Sequence, residues 1–186
     1  LAGMSCVTYD ITQRKQIEER QLLLAREADH RARNALAVVQ AIVRLTRASS
    51  QQGYIEAVEG RIHALAQAHT LLSESRWEGA DVRTLVGEEL APYRSGDAAR
   101  VIIEGPAVML SPEKAQNVAL ALHELATNSA KYGALSAAKG SLAVSWHAAN
   151  NILTLHWREA GGPPVEPPTS HGFGTKILNA SIRHQI

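Results

Sequence analysis

The sequence predicts an α/β chain built as more than one domain, a long helical hairpin followed by an α/β sandwich. Three observations carry this. A helical pattern runs without Gly or Pro from about Thr12 to about Ser49. After Trp77 the texture changes to alternating helix and strand signals. A Gly/Pro-rich loop, GGPPVEPPTSHGFG at 161–174, then separates the last strand from a final helix.

In chain order, residues 1–9 alternate weakly and read as the last strand of a preceding domain. The long helix follows, and SSQQG at 49–53 reads as a turn. A second helix places Ile55, Val58, Ile62, Leu65 and Leu72 at 3–4 spacing. Two amphipathic helices joined by a short turn form an antiparallel hairpin, whose apolar stripes are too long to hide without a partner. A second copy completing a four-helix bundle is therefore expected. Asp81–Tyr93 reads as a helix and RVIIEGP at 100–106 as a strand and turn. Ser111-Pro112-Glu113 is a helix start, with a capping hydroxyl and proline at the first helical position, and this helix runs through Ala130. SLAVSWH at 141–147 and ILTLHWRE at 152–159 read as strands separated by AANN. This order calls for a mixed sheet covered by helices.

Composition narrows the function classes. With 19 basic and 18 acidic side chains, net charge is +1, which offers no electrostatic case for nucleic acid or membrane binding. The single cysteine excludes a disulfide framework and fits a reducing compartment, so a cytoplasmic location is expected. Apolar runs such as Ala35-Leu36-Ala37-Val38-Val39 fall far below the ~20 residues that cross a bilayer. The start, LAGMSCVTYD, carries neither a basic leader nor an initiator methionine, and the chain reads as a piece of something longer.

Eight histidines are present, so position has to single one out. At ~100° per helical residue, Ala28, Ala32, Ala35, Val39 and Ile42 cluster in one stripe. His30 falls roughly opposite, with Asn34 within ~40° of it and Arg26, Arg33 and Arg44 on the same outer side. A solvated face accounts for such a set. So does a neutral imidazole that attacks a γ-phosphoryl group while guanidinium groups offset its charge. His69 lies between Leu65 and Leu72 at core spacing and is expected to be packed and hydrogen-bonded.

HELATNSAKYGALS at 123–136 places Glu124, Asn128 and Lys131 at i, i+4 and i+7, on one helix face. A carboxylate, an amide oxygen and an ammonium suit a magnesium–triphosphate complex, although Glu…Lys pairs also decorate helix surfaces. WREAGGPP at 157–164 ends a strand in a carboxylate and paired glycines, and SHGFGTK at 170–176 leads into a helix whose free N–H groups suit phosphate. Gly-Lys-Ser/Thr is absent, so this is not a Walker A loop.

Taken in order, these motifs resemble the HWE group of sensor histidine kinases, and the second half resembles the GHKL, or Bergerat-fold, ATPases. DITQRKQIEE at 10–19 resembles the exit of a PAS or LOV sensor domain, DHRARNALAVVQ at 29–40 the phosphoacceptor box, and HELATNSAKYGALS the N box. Trp157 and Glu159 resemble the Trp-x-Glu of the G1 box, and Gly172-Phe173-Gly174 the G2 box. Arg33 stands where Lys is frequent in the family, and Ser129 where Ala is usual.

The resemblance implies three segments: 1–11 as the end of a sensor domain, 12–76 as linker helix plus helical-hairpin dimerisation and phosphotransfer domain, and 77–186 as a Bergerat-type ATP-binding domain that would continue with further strands. It implies a protein-histidine kinase that uses ATP and Mg2+ and passes phosphate to the receiver domain of a response regulator. His30 would be the acceptor, with Asn34 beside it. His123, Glu124, Asn128, Lys131, Tyr132, Trp157, Glu159, Gly161, Gly162, Gly172, Phe173 and Gly174 would bind ATP, with Asn128 and Glu124 at the magnesium. Glu159 would accept from the adenine amino group, and the loop from Pro163 to His171 would be a short lid. The rivals are an ATP-independent phosphotransfer scaffold with a degenerate ATPase-like domain and a non-catalytic dimerisation module.

Overall fold

The computed structural model describes Met4, residues 9–94 and residues 100–164. The expected strand at 1–9 (but for Met4 and Tyr9), the glycine box at 172–174 and the final helix lie outside the described residues, as does the Pro163–His171 loop beyond Pro164. The chain divides into two compact units, Leu1–Arg44 and Leu45–Ile186.

The first unit is nearly all of helix α1 (Thr12–Leu45). Asp10 Oδ1 accepts from the Thr12 N–H at 2.9 Å and satisfies one of the free donors at the helix start. The Thr12 hydroxyl, and then this N–H, hold the Asp10 carboxyl below its usual pKa. Ion pairs at i, i+4 line the surface: Arg14–Glu18 at 2.8 Å, Arg31–Glu27 at 3.3 Å, and Arg33–Asp29. Within the expected apolar stripe, Ile42 is buried and Ala35 and Val39 are half-buried, whereas Ala28 and Ala32 are exposed.

Helix α2 (Gln51–Glu74) begins inside the segment read as a turn. Ser50 is its cap, with Oγ accepting from the Gly53 N–H at 3.1 Å, and residues 46–50 connect the helices, with bends at Ser49 and Ser50. The expected apolar stripe also shifts. Leu65 and Leu72 are buried, but Ile55 and Ile62 are exposed, and the buried face is Arg61, Ala64, Leu65, Ala68 and Leu72. Left-handed Arg76 and Trp77 (φ 52° and 65°) then reverse the chain.

Beyond α2 come β1 (Ala80–Asp81), α3 (Val82–Leu90) with a 3-10 turn at Ala91–Tyr93, β2 (Val101–Glu104), β3 (Met109–Leu110) and α4 (Pro112–Lys131). A 3-10 turn at Ala134–Ser136, β4 (Ser141–Ala149) and β5 (Ile152–Ala160) follow. The short β1–β3 ribbon, antiparallel with Ala80 opposite Leu110, was not expected, since two-residue strands leave no alternation to read. Asp81 fixes this corner: its carboxylate accepts from the N–H groups of Arg83 and Thr84 at the start of α3 and of Val108 before β3.

The main sheet has the order β2-β4-β5. β2 runs parallel to β4, Val101 opposite Leu142, with α4 in the crossover. β4 and β5 form an antiparallel hairpin longer than the sequence reading gave, turning on Asn150 and Asn151 alone, both left-handed at φ 52° and 62°. One core joins Ala68 and Leu72 of α2, Val82, Leu85, Val86 and Leu90 of α3, Ala115, Leu122 and Ala126 of α4, and Leu142, Val144 and Trp146 of β4. Helix α2, expected to belong with the hairpin at 12–76, thus shares its interior with the sheet.

Candidate functional site

Helix α4 follows Ser111, whose side chain makes no capping bond, so Pro112 at the first helical position is the effective start signal. Its inner face buries Ala115, Ala119, Leu122, Ala126 and Ser129. The three polar residues expected on one face divide by environment. Asn128 and Lys131 are exposed, and Tyr132 at the helix end is 65% exposed. Glu124 turns toward α2, where Arg61 takes both of its oxygens, Nε to Oε1 at 2.6 Å and Nη2 to Oε2 at 3.0 Å. The third arm of that guanidinium donates to Thr46 Oγ1 at 2.6 Å. Arg61 is 8% exposed and Thr46 1%.

His123 points to the same side of α4. Its Nδ1 lies 2.8 Å from Glu89 Oε1 on α3, and its ring occupies the space that a Cβ at Gly60 would need, 2.8 Å from Nε2. Burial, and then the Glu89 charge, hold the Tyr93 phenol above its usual pKa. His69 is packed and bonded as expected. It meets the Trp77 ring edge-on at 5.2 Å and accepts from Gln116 Nε2 at 3.1 Å, and burial lowers its pKa below 6.5.

At the far end of α4 the chain turns sharply, with the N–H groups of Tyr132 and Gly133 both donating to the Asn128 carbonyl. Glu159, at the end of β5, closes on this turn. Its Oε2 accepts from the Ala134 N–H at 2.6 Å and its Oε1 from Trp157 Nε1 at 2.9 Å. A Cβ at Gly133 would sit 2.0 Å from Glu159 Oε2, so the approach requires glycine there. Gly161 (φ 71°) then brings Gly162 against Ala134. Asn128, Glu159 and the glycine pair therefore border one corner, formed by the end of α4 and the end of β5.

Two residues that build this corner were given no role from the sequence, Arg100 and Ser129, although Ser129 stood out as a departure from the family pattern. Arg100 donates to the carbonyls of Ala134, Leu135, Ala137 and Gly140, which makes it the internal scaffold of the 134–140 turn. Ser129, where the family usually has Ala, is 1% exposed, and its Oγ accepts from the Leu135 N–H at 3.3 Å. Neither role has a sequence signal, because each serves carbonyls or N–H groups that every residue type carries.

His30 and Asn34 are exposed on α1, in the other unit, beside the Arg33–Asp29 pair. Among the described residues no helix is long and apolar enough to cross a membrane.

Residues 27–107 match the family model of the HWE histidine kinases. A blue-light-activated histidine kinase of Rhizobium johnstonii is 37% identical over 184 residues, covering 95% of this chain and 52% of that protein. The match places residues 27–107 with the HWE histidine kinases. A blue-light-activated histidine kinase of Brucella anthropi is 36% identical over 97% of this chain and 38% of its own length. The chain thus spans about half or less of the curated relatives it matches. In fold it is similar to a blue-light activated histidine kinase of Erythrobacter litoralis, with TM-score 0.61 at 19% identity over 98% of this chain and 55% of that one. The separate histidine kinase domain of that protein gives TM-score 0.55 at 15% identity, covering 83% of this chain and 84% of the domain.

Proposed function

We propose that the chain is the core of a two-component sensor histidine kinase, transferring the γ-phosphoryl group of ATP to His30 and then to an aspartate of a response-regulator receiver domain. The observation that carries this is the corner at the end of α4. Asn128 and Lys131 are exposed on the last turns of α4, and the turn that follows holds the Glu159 carboxylate in place.

The donor set fits magnesium and a nucleotide. Asn128 offers a hard amide oxygen for the ion, and Lys131 a cation for phosphate. With both Glu124 oxygens on Arg61, its remaining lone pairs suit a water of the ion better than the ion itself. Glu159 keeps acceptor capacity for an adenine amino group beyond its two bonds to the chain. Gly161 and Gly162 let the end of β5 pack against the backbone of Lys139 and Ala134, which closes this side of the corner. His123 faces α2 and α3, so its part in nucleotide binding is to support the helix that carries Asn128. When bound, magnesium neutralises charge on the phosphates and orients them.

His30 would attack in line through an unprotonated ring nitrogen. A nitrogen–phosphorus bond forms, the bond from the γ-phosphorus to its bridging oxygen breaks, and ADP leaves. Exposure of His30 suits a group that must meet first a nucleotide and then a receiver domain. Dimerisation through the helical part, a cytoplasmic setting and a sensor upstream of α1 complete the proposal. The relatives' names support a light-responsive one.

Incubation with labelled ATP and magnesium, with and without a receiver domain, tests the reading. The chain should take up acid-labile label on His30 and pass it on, and His30→Ala should take up none while still binding nucleotide. Label retained by His30→Ala would overturn the assignment. Uptake only from a phosphorylated receiver, never from ATP, would support the scaffold reading instead.

A further inference from the structure

Arg61 is a basic residue on the buried face of a helix, which is rare without a built purpose. Its guanidinium is fully engaged: two arms grip Glu124 and the third is fixed on the buried hydroxyl of Thr46. Such a two-pronged pair sets orientation as well as distance, because the planar fork matches the planar carboxylate. Glu124 is one helical turn before Asn128 on α4, so the grip acts next to the residue read as the magnesium ligand. The pair also joins α2 to α4, two helices that share one core.

We propose that Arg61 is a positioning residue for phosphoryl transfer: held by Thr46, it fixes the Glu124 carboxylate in the orientation from which that group organises the magnesium beside Asn128. This rests on the kinase reading of the α4 corner. Arg61 touches neither nucleotide nor His30 in the proposal. Groups that hold the carboxylates of a metal site set its affinity by roughly ten- to hundredfold.

The test uses the full chain with magnesium titrated against labelled ATP, reading nucleotide binding, label transfer to His30 and thermal unfolding together. Arg61→Gln should weaken the apparent magnesium affinity and slow transfer per folded molecule by about tenfold or more, with binding of metal-free ATP little changed. Arg61→Lys keeps the charge but loses the fork, and should fall between the two. Arg61→Gln/Glu124→Gln removes the stranded carboxylate, so it should melt above Arg61→Gln yet transfer no faster. Leu72→Ala, which loosens the same helix in the shared core, should lower the melting temperature while leaving magnesium affinity per folded molecule at the wild-type value.

Wild-type magnesium affinity and transfer in folded Arg61→Gln would overturn the inference. So would recovery of transfer in the double variant, or an equal magnesium defect in Leu72→Ala, since each makes Arg61 a packing residue only. These outcomes leave the kinase reading standing. Label on His30→Ala would instead remove the kinase reading while leaving the magnesium measurements intact.

Discussion

The carboxylate of Glu159 lies 2.6 Å from the Ala134 N–H, joining the last residues of β5 to the first turn after α4 across 25 positions of sequence. A charge-assisted bond of this kind stabilises by about 1.5–3 kcal/mol where water is partly excluded. It also aims the carboxylate at the corner where Asn128 is exposed.

Glu159→Ala should therefore weaken ATP binding by about tenfold or more, one good hydrogen bond being worth about 1.4 kcal/mol in this setting. Gly133→Ala should reproduce the loss with Glu159 still present, because its methyl group would push Glu159 Oε2 off the Ala134 N–H. Calorimetric titration with ATP checks both, and wild-type affinity in Gly133→Ala would show that the Glu159–Ala134 contact does not organise the site.

Asn128→Ala should abolish magnesium-dependent ATP binding while leaving the fold nearly unchanged, since the side chain is exposed and α4 loses no packing. Magnesium titration of nucleotide affinity reads this directly. An unaltered magnesium dependence would move the ligand elsewhere.

Arg100→Met should destabilise the second unit by about 2–3 kcal/mol, because four carbonyl oxygens lose a common donor at once. Hydrogen exchange should localise the loss to the turn over 134–140, and urea unfolding gives its size. ATP affinity should fall in the same variant, as Ala134 presents the N–H that holds Glu159.

His69 makes stability depend on pH. Burial lowers its folded pKa below 6.5, so the unfolded chain binds the proton more readily. Its contribution is fully present above pH 6.5 and is lost as pH falls through the folded value. The bond from Gln116 fits a neutral ring with its proton on Nδ1. His69→Gln should flatten the pH dependence of the urea midpoint on the acid side of 6.5, and an unchanged slope would assign it to other groups.

Much of the architecture was legible because it follows local rules. The absence of Gly and Pro marked α1, Pro112 marked the start of α4, and alternation in SLAVSWH marked β4. The buried face of α2 was not legible, because a guanidinium stands in the middle of it. Apolar spacing drew the stripe through Ile55 and Ile62 instead. The reason Arg61 can be buried is Glu124, 63 residues away, and no helical period reports a partner at that distance. At the corner, Asn128, Glu159 and the glycines were found from chemistry and family resemblance. Arg100 and Ser129 were not, since their partners are main-chain atoms fixed only by the fold.

Ala68 and Leu72 of α2 lie in the same interior as Val86, Leu122 and Val144. This chain therefore cannot be divided cleanly at the point where the hairpin pattern ends near Trp77. A cut there would uncover one side of α4 and strand Glu124 and His123 without Arg61 and Gly60. The boundary that leaves this interior whole lies near Leu45, so α2 stays with the second unit.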